Sequence, residues 1–206
     1  MRRSMLFLPG NTPNILQNGD VLGADAVIFD LEDAVAPDQK DAARILVRNT
    51  MQYLDFSKVE VIVRINSVDT PYWKKDLETI LPLRPSLIMP PKTSCAQDVL
   101  TVDAYLSQLE DSLGYARNTV RLIPLIETAL GLENAFAIAC EEMGFSSTPE
   151  LLATYSAINE ALWKLLEQGK IEQSVLRVRR FEQFLAAIHR DGDAQRMCDA
   201  FVEALG

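Results

Sequence analysis

The stretch that decides the fold of this chain is Val27-Ile28-Phe29-Asp30-Leu31-Glu32-Asp33-Ala34-Val35, followed by Ala36-Pro37-Asp38-Gln39-Lys40. An apolar run leads into three acids, and a proline then opens a charged pattern with helical spacing. This order predicts a buried strand that ends in carboxylates and a helix that returns along the sheet. Parallel α/β sheets carry their reactive groups at this end of the strands. Acids in this position also serve as helix caps or solvated loop residues, so both interpretations stay open here.

The same strand-then-helix pattern occurs five times in the first 139 residues. Strands are predicted over residues 4–8, 26–30, 60–66, 86–89 and 120–126. A spacing of roughly 30 residues per unit predicts parallel pairing with right-handed crossovers. A closed eight-stranded barrel takes about 250 residues. Five strands therefore predict an α/β fold with a partial TIM-barrel-like (β/α) unit; an open sheet with helices on both faces is the alternative.

The helix that opens at Pro37 shows a stripe of mainly apolar residues at helical spacing. This stripe predicts that the following residues face the core: Ala42, Ile45, Leu46, Asn49 and Tyr53.

Beyond Cys140 no β-branched run occurs again. Thr148-Pro149-Glu150 combines an N-cap, a first-turn proline and an acid, which predicts a helix that reaches residue 169. Two further helices are predicted over residues 171–188 and 193–205. The sequence thus predicts two domains, a (β/α) half-barrel over residues 1–139 and an all-helical segment over residues 140–206.

Composition narrows the class of protein. The chain has 206 residues, is 48% hydrophobic and 24% charged, and carries a formal net charge of −9, which is typical of a globular protein and argues against nucleic acid as a partner. It contains no long apolar span, so no membrane partner is expected. Cys95, Cys140 and Cys198 form no CxxC pair, which predicts free thiols in a reducing cytoplasm; with His189 as the one histidine, zinc is not expected.

Polar groups follow four of the predicted strands and point to the same edge of the sheet. They are Glu32 and Asp33, Arg64 and Asn66, Lys92, and Glu127. Carboxylates from separate strands suit Mg²⁺, and an arginine beside them can bind a carboxylate through two hydrogen bonds. Such a site would bind a carboxylate substrate polarised by a metal and stabilise an enolate. Arg64 pairing with Asp33, or Glu127 capping the next helix, are the structural alternatives; convergence of all four positions favours a functional site.

Five motifs in order resemble those of one enzyme family. They are Arg3-Ser4-Met5-Leu6-Phe7-Leu8-Pro9-Gly10, Phe29-Asp30-Leu31-Glu32-Asp33-Ala34-Val35, Val63-Arg64-Ile65-Asn66, Met89-Pro90-Pro91-Lys92 and Ile126-Glu127-Thr128-Ala129-Leu130-Gly131. Through them residues 1–139 closely resemble the citrate lyase β-subunit group of the HpcH/HpaI aldolases. The resemblance implies a TIM barrel and Mg²⁺-dependent carbon–carbon cleavage of a 3-hydroxyacyl thioester, carried by CoA or an acyl carrier protein. For citryl thioester the products are acetyl thioester and oxaloacetate.

The resemblance also implies roles for the strand-end residues. Arg64 would bind the substrate carboxylate, with Asn66 and Lys92 in the same substrate-binding set. Glu127 would contact both metal and substrate, and the catalytic pair Glu32 and Asp33 would lie near metal-bound waters. One feature of the family is absent: its next strand carries Gly-Ala-Glu-Asp, whose acid is a second metal ligand, and nothing similar follows Ala139.

Residues 141–206 resemble a different family, the helical cap of haloacid-dehalogenase-type hydrolases. The matching segments are Phe145-Ser146-Ser147-Thr148-Pro149-Glu150-Leu151-Leu152, Asn159-Glu160-Ala161-Leu162-Trp163 and Arg179-Arg180-Phe181-Glu182. Three hypotheses follow: a lyase, active or degenerate; a catalytically inactive, chimeric or truncated scaffold; and a dehalogenase-type phosphatase. Glu32 stands where a phosphatase has its second Asp, which argues against the third. The unpaired edges of a five-stranded sheet predict a homo-oligomer.

Overall fold

The computed structural model describes residues 2–204, which form two compact units, one ending at Glu127 and the other beginning at Thr128. The strands are β1 (Met5–Pro9), β2 (Ala26–Asp30), β3 (Glu60–Arg64), β4 (Leu87–Met89) and β5 (Arg121–Leu122). The helices of the first unit are α1 (Pro13–Gln17), α2 (Lys40–Tyr53), α3 (Trp73–Ile80) and α4 (Ala96–Ser112). Those of the second are α5 (Ala129–Glu142), α6 (Pro149–Glu167), α7 (Gln173–Ala187) and α8 (Ala194–Ala204). Short 3₁₀ turns cover Gly19–Val21, Pro37–Gln39 and Leu81–Leu83.

The five strands of the first unit are all parallel and lie in the order β1-β2-β3-β4-β5. Side chains alternate between the two faces of the sheet. On one face, Val27, Phe29 and Val63 share a buried cluster with side chains from α1 to α4. On the other face, Ala26 and Ile28 of β2 form a buried cluster with Ile62 of β3 and with Leu87 and Met89 of β4. Residues 123 and 125, from the segment after β5, pack against this cluster.

Sequential strand order with the helices of this unit on one face is the arrangement of a (β/α) barrel, whereas a doubly wound sheet reverses its order and carries helices on both faces. The prediction of a partial TIM-barrel-like unit with five parallel strands is therefore confirmed. In the part of the chain that the structure describes, the helices of the first unit pack on one face of the sheet. In the described residues the sheet stays open, because β1 pairs only with β2 and β5 only with β4.

The register places polar residues side by side at the carboxyl ends of the central strands. Strand β2 is buried over its whole length, as the apolar run predicts. Asp30, its last residue, lies opposite Arg64, the last residue of β3, and Arg64 lies opposite Met89 of β4. Asp30 and Arg64 therefore meet at one edge of the sheet because their strands are in parallel register.

Helix α2 buries a different face from the one its apolar residues predict. Lys40, Ala43, Arg44, Val47 and Thr50 are buried. In contrast, two residues of the predicted core stripe are open to solvent: Ile45 is 49% exposed and Tyr53 is 76% exposed. The predicted stripe is wrong because two charged residues of α2 lie on the buried face, where each has a polar partner, so hydrophobicity alone misplaced it.

The second unit is a helical assembly with an aromatic core. Phe136, Tyr155 and Phe184 pack on one another, and Phe181 and Phe201 complete the cluster. The three tail helices occur where they were predicted, and Thr148 caps α6 by accepting a hydrogen bond from the backbone of Leu151. Leu205, within the last predicted helix, lies outside the described residues.

Helix α5 belongs to the helical unit. Its residues Ala135, Phe136, Ala139 and Cys140 are part of the aromatic core, so the compact units divide after Glu127, whereas the sequence places the division at residue 139. Across the described residues, no helix is both long and apolar enough to cross a membrane.

Candidate functional site

A buried arginine–carboxylate pair lies at the centre of the site. The guanidinium of Arg64 donates two hydrogen bonds to the carboxylate of Asp30, from Nε to Oδ1 at 2.8 Å and from Nη2 to Oδ2 at 2.6 Å. Both residues are buried, Asp30 at 2% exposure and Arg64 at 8%. This fork geometry fixes the plane of the guanidinium, and it leaves Nη1 directed at other groups.

The Nη1 atom of Arg64 faces two further acids, Glu32 at 3.4 Å and Glu127 at 4.0 Å. The guanidinium also lies 4.9 Å from the ring centroid of Phe7, which belongs to β1. Arg64 thus makes contacts with groups from β1, from β2 and the loop after it, and from the segment after β5. The alternative in which Arg64 pairs with Asp33 is not what the structure shows, because its partner is Asp30.

Asp30 also organises the loop that carries the catalytic candidates. Its carboxylate accepts hydrogen bonds from the backbone N–H of Glu32 at 2.8 Å and of Ala34 at 3.3 Å. A carboxylate that accepts backbone hydrogen bonds just after a strand acts as an Asx turn. Asp30 is therefore the residue of this site that the sequence analysis did not single out. The signal in the sequence was its place as the last residue of the predicted strand 26–30; that it lies opposite Arg64 is shown by the register of β2 and β3.

Lys92 joins the acids of the β2 loop. Its ammonium lies 2.6 Å from Glu32 and 3.0 Å from Asp33. Its backbone N–H donates to Oε1 of Glu127 at 3.1 Å. Lys92 adopts a left-handed backbone conformation with φ of 51°, which non-glycine residues rarely adopt. Both the charge and the backbone of Lys92 therefore hold acids of this site together.

The pairing changes the proton affinity of the groups involved. Hydrogen bonding to Glu32, and then to Asp33, raises the pKa of Lys92 above its ordinary value. The hydrogen bond from Lys92 lowers the pKa of Asp33. Burial acts to lower the pKa of Arg64, but the hydrogen bonds and charge of Asp30 outweigh it and the pKa is raised overall. Arg64 and Lys92 are therefore cationic, and Asp33 is ionised, at neutral pH.

Five of the six predicted site residues are brought together, and one is engaged elsewhere. Glu32, Asp33, Arg64, Lys92 and Glu127 form the cluster described above. Asn66, in contrast, donates from its backbone and side-chain nitrogens to Oδ2 of Asp76 on α3, at 2.9 and 2.7 Å.

The carboxylate that holds Asn66 is fully buried and has a second partner. Oδ1 of Asp76 accepts a hydrogen bond from Nε of Arg44 on α2 at 2.8 Å. Arg44 and Asp76 therefore tie α2 and α3 to the loop that follows Arg64. A role of Asn66 in substrate binding stays a prediction.

The donor chemistry of the cluster suits a hard divalent cation, although its acids are already paired. Asp30, Glu32, Asp33 and Glu127 face two cationic side chains, an excess of two negative charges. Within residues 2–204, however, no three acidic, histidine or cysteine side chains are arranged to hold a metal ion by themselves. Mg²⁺ commonly takes one or two protein carboxylates and completes its octahedron with water and substrate oxygens. The residues present therefore fit Mg²⁺ as a weak site that a substrate would complete.

Comparison with known sequences covers mainly the (β/α) unit. Residues 3–148 match the family described as HpcH/HpaI aldolase/citrate lyase. Citrate lyase subunit beta of Leuconostoc mesenteroides subsp. cremoris is 37% identical over 139 residues, which are 68% of this chain and 46% of that protein. An L-malyl-CoA/beta-methylmalyl-CoA lyase of Cereibacter sphaeroides is 39% identical over 140 residues, 66% of this chain and 44% of that protein. The chain spans about half the length of the curated relatives it matches.

Solved structures show the same fold. A citrate lyase from Burkholderia xenovorans LB400 superposes with a TM-score of 0.56 at 21% identity, over 68% of this chain and 46% of that one. A citrate lyase beta subunit from M. tuberculosis, complexed with oxaloacetate and magnesium, superposes with a TM-score of 0.50 at 25% identity, over 98% of this chain and 95% of that one. The resemblance of residues 141–206 to a dehalogenase-type cap stays a prediction.

Proposed function

The chain belongs to the HpcH/HpaI aldolase/citrate lyase family, and we propose that it is a carbon–carbon lyase acting on a 3-hydroxyacyl thioester. The acyl group would be carried by CoA or an acyl carrier protein, and citryl thioester would give acetyl thioester and oxaloacetate. The observation that carries this proposal is Arg64, a buried guanidinium fixed by Asp30 at the carboxyl edge of the sheet with acids from separate segments around it. A cytoplasmic location is part of the proposal and fits the three free thiols.

Substrate binding would use the part of Arg64 that Asp30 leaves available. Asp30 accepts hydrogen bonds from Nε and Nη2, so Nη1 is the nitrogen that a substrate carboxylate would reach. Its present neighbours, Glu32 and Glu127, lie at 3.4 and 4.0 Å, longer than a strong charge-assisted hydrogen bond. Lys92 lies at the rim of the site with a side chain that is 43% exposed, so its ammonium would be the second cationic group within reach of an anionic substrate.

The chemical step is a retro-aldol-type cleavage with a simple electron balance. A base removes the proton of the 3-hydroxyl group, and the O–H electron pair becomes the second bond of the product carbonyl. The C2–C3 bond breaks, and its electrons move into the thioester as an enolate. A proton delivered to C2 then gives the acetyl thioester.

Asp33 is the catalytic candidate that a bound substrate would reach. Its side chain is 62% exposed, whereas that of Glu32 is 5% exposed. Asp33 is ionised at neutral pH and so can accept the hydroxyl proton; the hydrogen bond from Lys92, which lowers the pKa of Asp33, makes it a weaker base. Glu32, buried and paired with Lys92, would hold that lysine in place.

Glu127 is the proposed metal ligand, with Glu32 and Asp33 near the metal's waters. Mg²⁺, when bound, would supply positive charge next to the substrate oxygens on which negative charge develops. Glu127 lies at the edge of the cluster with a side chain that is 32% exposed, so it is accessible to a cation from solvent.

The second candidate function is an inactive scaffold, and one observation favours it. In the described part of the chain no strand follows β5, so the acid that the family carries on its next strand has no counterpart in this sheet. Turnover separates the two candidates. An active lyase releases oxaloacetate from citryl-CoA, which can be followed through its reduction by NADH and malate dehydrogenase, whereas a scaffold binds ligand without releasing product.

The proposed metal and substrate site is tested by Mn²⁺ titration, measured by water proton relaxation with and without oxaloacetate. We expect weak Mn²⁺ binding alone and at least tenfold tighter binding with oxaloacetate, because substrate oxygens complete the coordination. Glu127→Gln should abolish this effect of oxaloacetate on the affinity for Mn²⁺. The control Glu160→Gln, in an exposed pair with Lys164 on α6, should not change it. Tight stoichiometric binding without oxaloacetate, unchanged in Glu127→Gln, would show that the site lies elsewhere.

A further inference from the structure

Lys40 is a buried lysine that contacts the catalytic loop from outside the cluster of acids. It is the first residue of α2 and is 7% exposed. Its ammonium donates hydrogen bonds to the backbone carbonyls of Leu31 at 2.8 Å and Glu32 at 2.7 Å. Lysine is almost never fully buried unless it is paired, so this arrangement requires specific partners. Here the partners are carbonyl oxygens of the loop that follows β2.

We propose that Lys40 positions Glu32 and Asp33 for the proposed reaction. It would do so by holding the backbone carbonyl of the residue directly before each of them in the chain. The proposal rests on the proposed function, since it names a positioning residue for that same site. Lys40 would not touch the substrate. It would act through the backbone of the loop, because the orientation of a carbonyl and the direction of the neighbouring side chains are set by the same dihedral angles.

The two peptide units that carry these carbonyls are also held through their N–H groups: the N–H of Glu32 donates to Asp30 at 2.8 Å, and the N–H of Asp33 donates to the Glu32 carboxylate at 2.9 Å. Among the hydrogen bonds of the described residues, the Glu32 carbonyl also accepts the backbone N–H of Val35 at 2.9 Å, within the same turn. Restraint from the sheet reaches the loop through the backbone N–H of Leu31, which donates to the Arg64 carbonyl at 3.0 Å. Lys40 adds a side-chain connection from helix α2 to the carbonyl side of this loop, whereas Asp30 holds the N–H groups of Glu32 and Ala34.

The charge of Lys40 has an effect opposite to that of its hydrogen bonds, and this makes the proposal testable. Burial lowers the pKa of Lys40, while Glu32, Asp76 and Asp30, followed by Asp33, act to raise it. These acids are close enough to interact with the ammonium, so Lys40 reduces the negative charge of the site. If charge were its only contribution, a variant with a neutral residue at position 40 would bind cations at the site more tightly than wild type. If positioning dominates, a variant whose residue 40 is neutral and has no hydrogen-bond donor binds them more weakly.

The experiment compares wild type, Lys40→Met and Lys40→Arg by Mn²⁺ titration in the presence of oxaloacetate. Loss of a group that orients metal-site residues commonly lowers affinity 10- to 100-fold. We expect Lys40→Met to weaken Mn²⁺ binding at least tenfold and Lys40→Arg, which keeps the charge and the donors, to recover it to within about threefold. Lys164→Met, in an exposed pair with Glu160, is the matched control and should bind as wild type does. Equal or tighter binding by Lys40→Met would overturn the proposal.

Hydrogen exchange gives a second measurement that needs neither metal nor substrate. In Lys40→Met the backbone N–H groups of residues 32–35 should exchange at least tenfold faster, while those of β3 stay protected, because the loop alone loses its restraint. Unchanged exchange in this loop would overturn the proposal. In a Trp163→Phe background, the fluorescence of Trp73, buried in α3, reports whether the first unit is folded. If Lys40→Met does not fold, Lys40→Leu, which is also neutral and has no donor, replaces it with the same expected directions.

The two proposals fail in different ways. A wild-type chain that binds no Mn²⁺ in the presence of oxaloacetate would overturn the proposed function and any role of Lys40 in that reaction. The exchange of residues 32–35 in Lys40→Met would still decide whether Lys40 holds the loop. Wild-type binding together with an unaffected Lys40→Met variant would overturn the role of Lys40 and leave the proposed function standing.

Discussion

Replacing Asp30 by asparagine tests the central contact of the site. The substitution keeps the shape of the side chain but removes its charge, and it places an amide N–H₂ where one of the two oxygens was. Asp30 now accepts four hydrogen bonds, two from Arg64 and one each from the backbones of Glu32 and Ala34. In Asp30→Asn the buried guanidinium of Arg64 loses its two-point partner, and one backbone N–H loses its acceptor.

The size of the effect follows from the surroundings of Arg64. Breaking a buried ion pair by removing one partner costs about 3–5 kcal/mol. Glu32 at 3.4 Å and Glu127 at 4.0 Å still face Nη1 and partly compensate the uncovered charge. We therefore expect Asp30→Asn to lower the free energy of unfolding by about 3 kcal/mol, the lower end of this range. With a urea m-value of about 2 kcal/mol/M, the unfolding midpoint of the first unit should fall by about 1.5 M.

The assay is urea unfolding followed by tryptophan fluorescence. The chain has two tryptophans, Trp73 in the first unit and Trp163 in the second. In a Trp163→Phe background, Trp73 alone reports the first unit. Asp111→Asn, which breaks an exposed pair with Arg117, is the matched control and should leave the midpoint unchanged because exposed ion pairs contribute little. A midpoint for Asp30→Asn equal to that of Asp111→Asn would refute the central position of the Arg64–Asp30 pair.

Three further predictions concern the ligand, the helical unit and the assembly. Arg64→Lys should weaken oxaloacetate binding about tenfold in calorimetry, because an ammonium cannot hold two groups in one plane; equal binding would remove Arg64 from the site. Burial raises the pKa of Cys140 and of Tyr155 to about 12, from ordinary values of 9.0 and 10.0. Their neutral forms therefore contribute stability that is complete below pH 9 and is lost as the pH rises towards 12. Circular dichroism melts should show this loss, and Cys140→Ala should reduce it; equal melting temperatures at pH 8 and about pH 10.5 would contradict it. Leu6 on the edge strand β1 is 36% exposed, so the chain should self-associate through this edge. Leu6→Lys should weaken the self-association measured by sedimentation, and a wild-type chain that stays monomeric at all concentrations would contradict the prediction.

The local sequence was sufficient to predict the order of the strands and helices and the edge at which the site lies, although β5 covers only Arg121–Leu122 of the predicted strand 120–126. The apolar run before Asp30 makes β2 a buried strand from Ala26 to Asp30, in agreement with its predicted bounds. Five such runs separated by helices require parallel strands, and parallel strands bring their carboxyl ends to one edge. That Glu32, Asp33, Arg64, Lys92 and Glu127 would meet followed from this topology.

The partners of these residues were decided only by the tertiary structure. Arg64 pairs with Asp30 because the register of β2 and β3 sets the two residues opposite each other, and no pattern in either strand states that register. Asn66 bonds Asp76, a residue of α3 that no strand-end pattern includes. Lys40 is buried in α2 although its type predicts exposure, because two loop carbonyls accept its hydrogen bonds. Periodicity reports which residues are apolar, whereas pairing among buried polar groups depends on distances between segments far apart in the chain, and these exist only once the chain has folded.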